Sequence, residues 1–215
     1  MKKSRIICNK ATMILAMLYV AVLIASNISG AKIVDFDFFN FKIVFSAALF
    51  FFPLTYVLGD ILTEVYGATT SRFIVLLTLI INIIFVFFIY ISIVVPPAKI
   101  WQGQIAYSYT LGASARIFIA SISAFAVGEM VNIFVLQKLK VKFKDKWMPL
   151  RFITSTFMGV ILGSFIFYTI AFAGEYSVLI IIEMAVVELV MKVAYDAIML
   201  PISCTIAKKL KKQNL

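Results

Sequence analysis

The chain has 215 residues, of which 63% are hydrophobic and 14% are charged, and its formal net charge is +10. Its mean hydropathy is +1.06. A water-soluble domain of this length could not bury so much apolar surface, so the composition excludes a soluble globular protein. The hydrophobic residues instead come in runs of about 20, the length that crosses a ~30 Å hydrocarbon core at 1.5 Å per residue.

Six such runs predict an all-α membrane protein, a polytopic bundle of six transmembrane helices that forms one transmembrane domain over residues 1–215. The predicted helices cover, in chain order, residues 11–31, 43–65, 73–95, 113–136, 152–173 and 178–206. The first run follows several basic residues, as the apolar stretch of a signal peptide does. It is too long for a signal peptide, so we interpret it as an uncleaved first helix.

The basic residues are divided unequally between the two sides of this predicted bundle. Fifteen lie before helix 1 or after helices 2, 4 and 6, and they are Lys2, Lys3, Arg5, Lys10, Arg72, Lys138, Lys140, Lys142, Lys144, Lys146, Arg151, Lys208, Lys209, Lys211 and Lys212. Only Lys32, Lys42 and Lys99 lie on the other side. The positive-inside rule therefore places both termini in the cytoplasm. Because topology explains the positive charge, the lipid bilayer is an expected partner and nucleic acid is not.

Ionisable residues inside the predicted spans are the candidates for function, because a charge at the bilayer centre costs about 2.5–3.5 kcal/mol. In helix 2, Tyr56, Asp60 and Glu64 recur every four residues and therefore share one face. Asp60 lies deep in the span, which favours a function. Glu64 lies near the cytoplasmic interface, where a functional role and simple solvation are both open.

Helix 4 places Ser121 and Asn132 on one narrow face, with Glu129 beside them. Arg116 lies near the outer end of the same helix, where its side chain either reaches back toward this face or extends to the interface. Asn27 is the corresponding polar residue of helix 1.

In helix 6, Glu188, Lys192 and Asp196 follow one another at four-residue intervals. The order of Glu188 and Lys192 is the favourable one for a helical ion pair, so a purely structural pair is an alternative to a binding role. We expect the polar faces of helices 2, 4 and 6 to line one cavity. The predicted substrate-binding residues are Asn27, Tyr56, Asp60, Glu64, Arg116, Ser121, Glu129, Asn132, Glu188, Lys192 and Asp196.

Helix 5 is nearly free of charge and has Gly159 and Gly163 four residues apart, a spacing that permits close helix contact. The chain contains no histidine, which excludes a His-based zinc protease or general base. It also has no Walker A motif, so transport has to be driven by a coupling ion, a partner ATPase or trapping of the solute. No cofactor and no metal site is predicted.

Five segments resemble the queuosine precursor transporters, the YhhQ-like or vitamin uptake transporter family of bacteria. They are SN at Ser26, FPLTYVLGDILTEVYG from Phe52, RIFIASISAFAVGE from Arg116, RFITST from Arg151 and KVAYDAIMLP from Lys192. The resemblance implies a multi-pass protein of the bacterial inner membrane that imports deazaguanine bases for tRNA modification. Such bases are 7-cyano-7-deazaguanine, 7-aminomethyl-7-deazaguanine and queuine. The family pattern has an acidic residue on helix 5 near Gly163, and this chain departs from it.

The expected ligand is thus a deazapurine, and a coupling ion and assembly into a homo-oligomer are left open. One competing interpretation is a substrate-binding membrane subunit for another vitamin-like or nucleobase solute, working with a separate ATPase module. Another is an intramembrane enzyme using the carboxylates of Asp60 and Asp196, or Glu188 with Lys192. No catalytic motif accompanies these charges, so we predict that the protein is not an enzyme.

The distribution of basic residues makes a direct prediction about topology. Reporter tags at both termini should report the cytoplasm, and a tag placed between Lys99 and Gly103 should report the outside. An opposite result for either terminus would show that the number of predicted helices is wrong.

Overall fold

The computed structural model describes residues 6–30, 32–38, 41–112, 115–144, 146–172, 174 and 177–213. The model describes only the backbone, and not the side chains, of residues 33, 35–38, 41–45, 115, 116, 180, 183 and 213. The helices are α1 (Lys10–Ser29), α2 (Pro53–Val94), α3 (Gln104–Leu111), α4 (Ala115–Lys142), α5 (Met148–Phe172) and α6 (Val178–Gln213). An antiparallel hairpin of β1 (Ile33–Phe38) and β2 (Phe41–Ser46) and a 3-10 turn (Ala47–Phe50) lie between α1 and α2.

The hairpin corrects the predicted start of the second helix at residue 43, because β2 occupies residues 41–46 and α2 begins at Pro53. The strand sequences are rich in β-branched and aromatic residues, which favour extended backbone. Proline at the first helical position lacks the N–H that a helix start leaves unpaired, so it suits the start of α2. The hydropathy of this stretch alone does not distinguish its strands from a helix.

α2 contains two of the predicted helices, joined at Gly67. This residue has φ 84° and ψ 160°, a conformation that is essentially restricted to glycine. Thr63 Oγ1 donates a hydrogen bond of 2.9 Å to Ser71 Oγ. In a straight helix these residues would be separated by about 12 Å along the axis. The chain therefore turns back at Gly67, between a first arm (residues 53–66) and a second arm (residues 68–94).

α1 lies alongside the second arm and runs in the same direction. Ile7 N, just before α1, donates to Thr70 Oγ1 at 3.1 Å, and Asn27 Nδ2, near the end of α1, donates to Asn82 Oδ1 at 2.8 Å. α2 also packs against α4 and α6, and α4 and α5 form the most extensive helix pair. The main hydrophobic core accordingly lies where α1, both arms of α2 and α4 meet. Its buried members are Leu15, Tyr19, Leu23, Val57, Ile61, Leu62, Tyr66, Ile74, Val75, Leu79, Phe125 and Ile133.

Four stretches of the described chain are long and apolar enough to cross a membrane, namely Lys10–Ser29, Ala47–Val94, Ile117–Lys142 and Met148–Phe172. Large apolar side chains such as Met17, Phe88 and Phe165 are 63–70% exposed, as side chains facing lipid would be. The helical membrane-protein prediction is confirmed at this level. The number of six crossings and the orientation of the termini stay predictions.

Several basic residues that were assigned to loops lie on helices. α4 extends to Lys142 and α6 to Gln213, so the lysines at residues 138–142 and 208–212 belong to the last turns of these helices. The ends of α4 and α6 lie near the start of α5, because Lys140, Lys211 and Arg151 all bond to Glu64. We call this end of the bundle the basic end.

The turn at Gly67 provides a test of the fold. Gly67→Ala should lower the free energy of unfolding by about 1–3 kcal/mol, because the added Cβ is incompatible with the backbone angles even though nothing lies within 4 Å of it. The measurement is the thermal unfolding midpoint of the purified protein in detergent. Thr69→Ala, at an exposed position two residues away, should change the stability by about 0.5 kcal/mol or less. Equal midpoints for the two variants would contradict the turn.

Candidate functional site

A cavity of about 910 Å³ lies between α1, α2, α4, α5 and α6, at the end of the bundle opposite the basic end. Its wall is mainly apolar and aromatic, with Phe52, Tyr56, Phe125, Phe167 and Tyr168 among its lining residues. A cavity of this size with few polar groups is typical of small-molecule binding sites. Five of the predicted site residues line it, namely Asn27, Tyr56, Ser121, Glu188 and Lys192.

The charged part of the cavity wall is the ion pair of Glu188 and Lys192 on α6. Lys192 Nζ lies 2.5 Å from Glu188 Oε1, and the other carboxylate oxygen accepts a 2.9 Å hydrogen bond from Ser164 Oγ on α5. The same Nζ lies 4.3 Å from the centre of the Phe52 ring, which gives it a favourable cation–π contact. The pair predicted from the sequence is therefore present, and it is partly open to the cavity.

Tyr56 lies where α4 and α5 approach each other most closely. A Cβ at Gly128 would lie 2.9 Å from Tyr56 Oη, and a Cβ at Gly163 would lie 3.2 Å from the carbonyl oxygen of Ala124. The close contact predicted from the glycine spacing of helix 5 is confirmed, since a Cβ at Gly159 would lie 2.7 Å from Gly128 O. A side chain at residue 163 would therefore bring its Cβ into tight contact with the backbone of α4, and one of the two helices would have to shift slightly.

One helical turn deeper lies a set of polar side chains that we call the inner polar cluster, composed of Asp60, Asn132, Thr156 and Asp196. All four are at most 1% exposed, and they come from α2, α4, α5 and α6 respectively. Asn132 Nδ2 donates to Asp60 Oδ1 at 2.9 Å, and Thr156 Oγ1 lies 3.5 Å from Asp60 Oδ2. Asp196 and Asp60 are electrostatic neighbours, and Thr156 faces both carboxylates.

Glu129 lies beside this cluster, one turn before Asn132 on α4. It is fully buried, and a Cβ at Gly59 would lie 3.0 Å from Glu129 Oε2. The glycine thus allows the carboxylate to lie directly against the first arm of α2. Within the described part of the chain, neither carboxylate oxygen of Glu129 has a hydrogen-bond partner, although Tyr19 and Thr55 face it.

A third polar group lies at the basic end and is centred on Glu64. Arg151 binds its carboxylate with both terminal nitrogens, at 2.6 Å to Oε2 and 3.1 Å to Oε1, and Lys211 Nζ lies 2.6 Å from Oε1. Lys140 Nζ donates to the backbone oxygen of Glu64 at 2.6 Å. We call this group the Glu64–Arg151 lock, because it joins the first arm of α2 to the ends of α4 and α6 and to the start of α5.

The lock excludes one of the two alternatives for Glu64 and corrects the position of Arg151. Both side chains are fully buried, so Glu64 is not simply solvated at the interface and Arg151 is not a loop residue. The position of Arg151 before a long apolar run is what predicts a loop in the sequence. Its carboxylate partner is 87 residues away in sequence, and local spacing does not identify such a pair.

The predicted site residues thus occupy three levels rather than one continuous wall. Asn27, Tyr56, Ser121, Glu188 and Lys192 lie at the cavity. Asp60, Glu129, Asn132 and Asp196 are buried below it, and Glu64 belongs to the lock. The side chain of Arg116 lies outside the described part of the structure. Their roles in substrate binding stay predictions.

The sequence interpretation missed Ser164, Thr156 and Arg151, each of which bonds to a predicted residue. Serine and threonine in an apolar helix usually bond to the backbone one turn earlier. Their residue type alone therefore does not distinguish a site residue from an ordinary helical one. Arg151 and Thr156 both belong to the RFITST segment, and that segment was the available signal.

The Glu64–Arg151 lock makes a prediction about stability, because the loss of Arg151 should weaken the fold strongly. Arg151→Met should lower the free energy of unfolding by about 3 kcal/mol, because Glu64 would lose its bidentate partner while remaining buried. The midpoint of thermal unfolding in detergent measures this. Lys209→Met removes an exposed base at the same end and should have little effect. If both variants unfold at the same temperature, the lock does not stabilise the fold.

Comparison with known proteins identifies the family. A family model described as "Putative vitamin uptake transporter" matches residues 46–206, about three quarters of the chain. The matched region includes the inner polar cluster, Glu64, Arg151 and most of the cavity wall. Searches of curated proteins and of solved structures gave no match. The chain belongs to the vitamin uptake transporter family.

Proposed function

We propose that the protein imports queuosine precursors across the bacterial inner membrane, where it is a multi-pass transporter and not an enzyme. The solutes would be deazaguanine bases, namely 7-cyano-7-deazaguanine, 7-aminomethyl-7-deazaguanine or queuine, which are then used in tRNA modification. The observation that carries this proposal is the Glu188–Lys192 pair on the wall of a cavity of about 910 Å³.

The pair matches the hydrogen-bonding edge of a guanine-like base. That edge presents a carbonyl acceptor beside two adjacent donors, the ring N–H and the 2-amino group. An ammonium group can donate to the carbonyl, and a carboxylate can accept from both donors. Lys192 and Glu188 supply these two groups side by side. A solute that enters the pair would exchange part of the ion-pair contact for its own charge-assisted hydrogen bonds.

The aromatic lining suits the flat ring of such a base. Phe52, Tyr56 and Phe125 contribute from one side of the cavity, and Phe167 and Tyr168 contribute from α5. Aromatic side chains bind nucleobases by stacking. The volume also leaves room for a substituent on the five-membered ring, which the three candidate solutes carry in different sizes.

The departure at Gly163 is compatible with this substrate class. Ser164, the next residue, donates its hydroxyl hydrogen bond to Glu188. A carboxylate from α6 therefore lies beside the position where the family pattern has an acidic residue on helix 5. In this chain we propose that the Glu188 carboxylate accepts the hydrogen bonds that the acidic residue of helix 5 would accept in the family pattern. Gly163 instead allows α4 and α5 to approach each other.

The direction of transport follows from the predicted topology. If the basic end lies in the cytoplasm, the cavity faces the outside and the Glu64–Arg151 lock closes the path beneath it. Import would then require the lock to open after the solute has bound, as in alternating access.

A second candidate function is a binding subunit that works with an ATPase module. The observation in its favour is the cluster of basic helix ends, since an acidic surface of a partner could bind there. Lys142 and Lys212 are exposed on the last turns of α4 and α6. Purification of the tagged protein from its native host separates the two, because a binding subunit would be recovered with two ATPase chains.

Transport is tested in a bacterial strain that cannot make queuosine, with the modification state of tRNA as the readout. The protein should restore modified tRNA when one of the deazaguanine precursors is supplied. If all three precursors fail although the protein is present in the membrane, the substrate assignment is wrong.

The role of the ion pair is tested by direct binding to purified protein. Glu188→Gln should weaken binding of the transported base by about 2 kcal/mol, or about 30-fold, because an acceptor pair becomes one acceptor and one donor. Ser164→Ala should give a smaller loss, and Ser92→Ala, at an exposed position outside the cavity, should give none. Normal affinity in Glu188→Gln would remove the central support for the proposal.

A further inference from the structure

The acidic residues inside the bundle differ in how their charge is compensated. Glu64 and Glu188 each lie within ion-pair distance of Arg or Lys, as described above. Asp60, Glu129 and Asp196 are at most 1% exposed, and among the described side chains no Lys or Arg nitrogen lies within 4.0 Å of any of the three. Asp60 and Asp196 are also electrostatic neighbours of each other. Two neighbouring carboxylates without a basic partner do not both stay ionised in a low-dielectric interior unless a cation joins them; otherwise one of them takes up a proton.

The inner polar cluster also has oxygen atoms without hydrogen-bond partners. Within the described residues, these are Asn132 Oδ1 and Asp196 Oδ2, both fully removed from solvent. The amide nitrogen of Asn132 donates to Asp60 Oδ1, so the same amide group carries the oxygen without a partner. A buried oxygen without a donor is costly, so these two oxygens are able to accept a hydrogen bond or to coordinate a cation.

Every group in the cluster is an oxygen ligand. Asp60 and Asp196 supply carboxylates, Asn132 supplies an amide oxygen and Thr156 supplies a hydroxyl, one from each of four helices. Such oxygens are the ligands that hard cations prefer. The described chain has no group of three or more His, Cys, Asp or Glu side chains that could hold a metal ion. The cluster itself offers only two carboxylates beside two neutral oxygen groups, and for this low ligand charge we consider a monovalent rather than a divalent cation.

We infer that Asp60, Asn132, Thr156 and Asp196 form a binding site for a sodium ion. The cation would neutralise one of the two carboxylate charges and would coordinate the two oxygens that lack partners. This assignment does not depend on which solute the protein carries.

The position of the site explains how a cation would influence the cavity and the lock. Asp60 lies one turn from Tyr56 at the cavity and one turn from Glu64 in the lock, on the same arm of α2. Asp196 lies one turn from Lys192 on α6. A cation that draws Asp60 and Asp196 together therefore acts on two helices that also carry the cavity wall. Sodium binding would be coupled to solute binding by these shared helices.

The first test measures the thermal unfolding midpoint of purified protein without solute. Sodium chloride, potassium chloride and choline chloride are compared at equal ionic strength. Sodium at about ten times its dissociation constant should raise the midpoint by about 3 °C relative to choline, because a ligand that binds only the folded state stabilises it. Equal midpoints in the three salts would overturn the inference. If uptake then depends on pH and not on sodium, the site would bind a proton instead.

Variants then locate the effect. Asp196→Asn and Thr156→Val should abolish the sodium shift, and direct binding of radioactive sodium should fall in parallel. Thr78→Val is the matched control, because Thr78 is buried on the second arm of α2, away from the cluster, and its hydroxyl is without a partner among the described residues. A sodium shift that persists in both cluster variants would contradict the site. If Asp196→Asn does not fold, the binding of radioactive sodium to Thr156→Val still tests the proposed site.

Glu188→Gln distinguishes this inference from the proposed function. It alters the cavity wall but none of the sodium ligands, so it should keep the sodium shift even if solute binding is lost. A sodium shift in a protein that carries no deazaguanine base would support the cation site and reject only the substrate assignment. Transport of a deazaguanine base by a protein without a sodium shift would reject the cation site alone.

Discussion

The bidentate ion pair between Glu64 and Arg151 joins the basic end of the bundle. Both side chains are fully buried, so their desolvation has to be offset by close geometry and by additional bonds. Lys211 provides a second cation for the carboxylate, and Lys140 binds the backbone oxygen of the same residue. Four helices therefore meet at one acidic residue, which lies three positions before the chain reverses at Gly67.

From that ion pair the polar interior continues along a single face of α2. Asp60 and Tyr56 follow at intervals of one turn, and each contacts a different set of neighbours. Gly128 and Gly163 allow Tyr56 to lie at the α4–α5 contact, whereas Asn132 and Thr156 bond to Asp60. Because the three levels share rigid helices, a rearrangement at one level displaces groups at the other two. This is the physical basis on which a solute or a cation could change the state of the lock.

The distribution of compensating charge distinguishes the levels. At the cavity, one carboxylate contacts one ammonium group, so the pair is close to neutral. In the lock, three basic side chains surround the single acidic residue Glu64. The cluster between them has carboxylates with only neutral donors nearby. In a membrane interior such a difference has a larger energetic effect than it would in water. A transport path that passes this cluster would be selective for cations or for solutes with several hydrogen-bond donors.

The membrane environment, the helical class and the polar residues of the interior are all predictable from the sequence. Runs of about 20 apolar residues and the unequal distribution of lysines between the two sides of the membrane are local features of the chain. The four-residue spacing of Tyr56, Asp60 and Glu64 is also local, and helical periodicity places these residues on one face. The Glu188–Lys192 pair was predictable for the same reason, since both partners lie on one helix.

Which helix faces meet depends instead on how the chain packs over long distances in sequence. The partners of Glu64, Asp60 and Asn27 are 87, 72 and 55 residues away, and no local pattern encodes such distances. The division of the candidate residues into cavity, cluster and lock depends on the depth at which each helix crosses its neighbours. The hairpin before α2 was also hidden, because hydropathy does not distinguish an apolar strand from the start of an apolar helix.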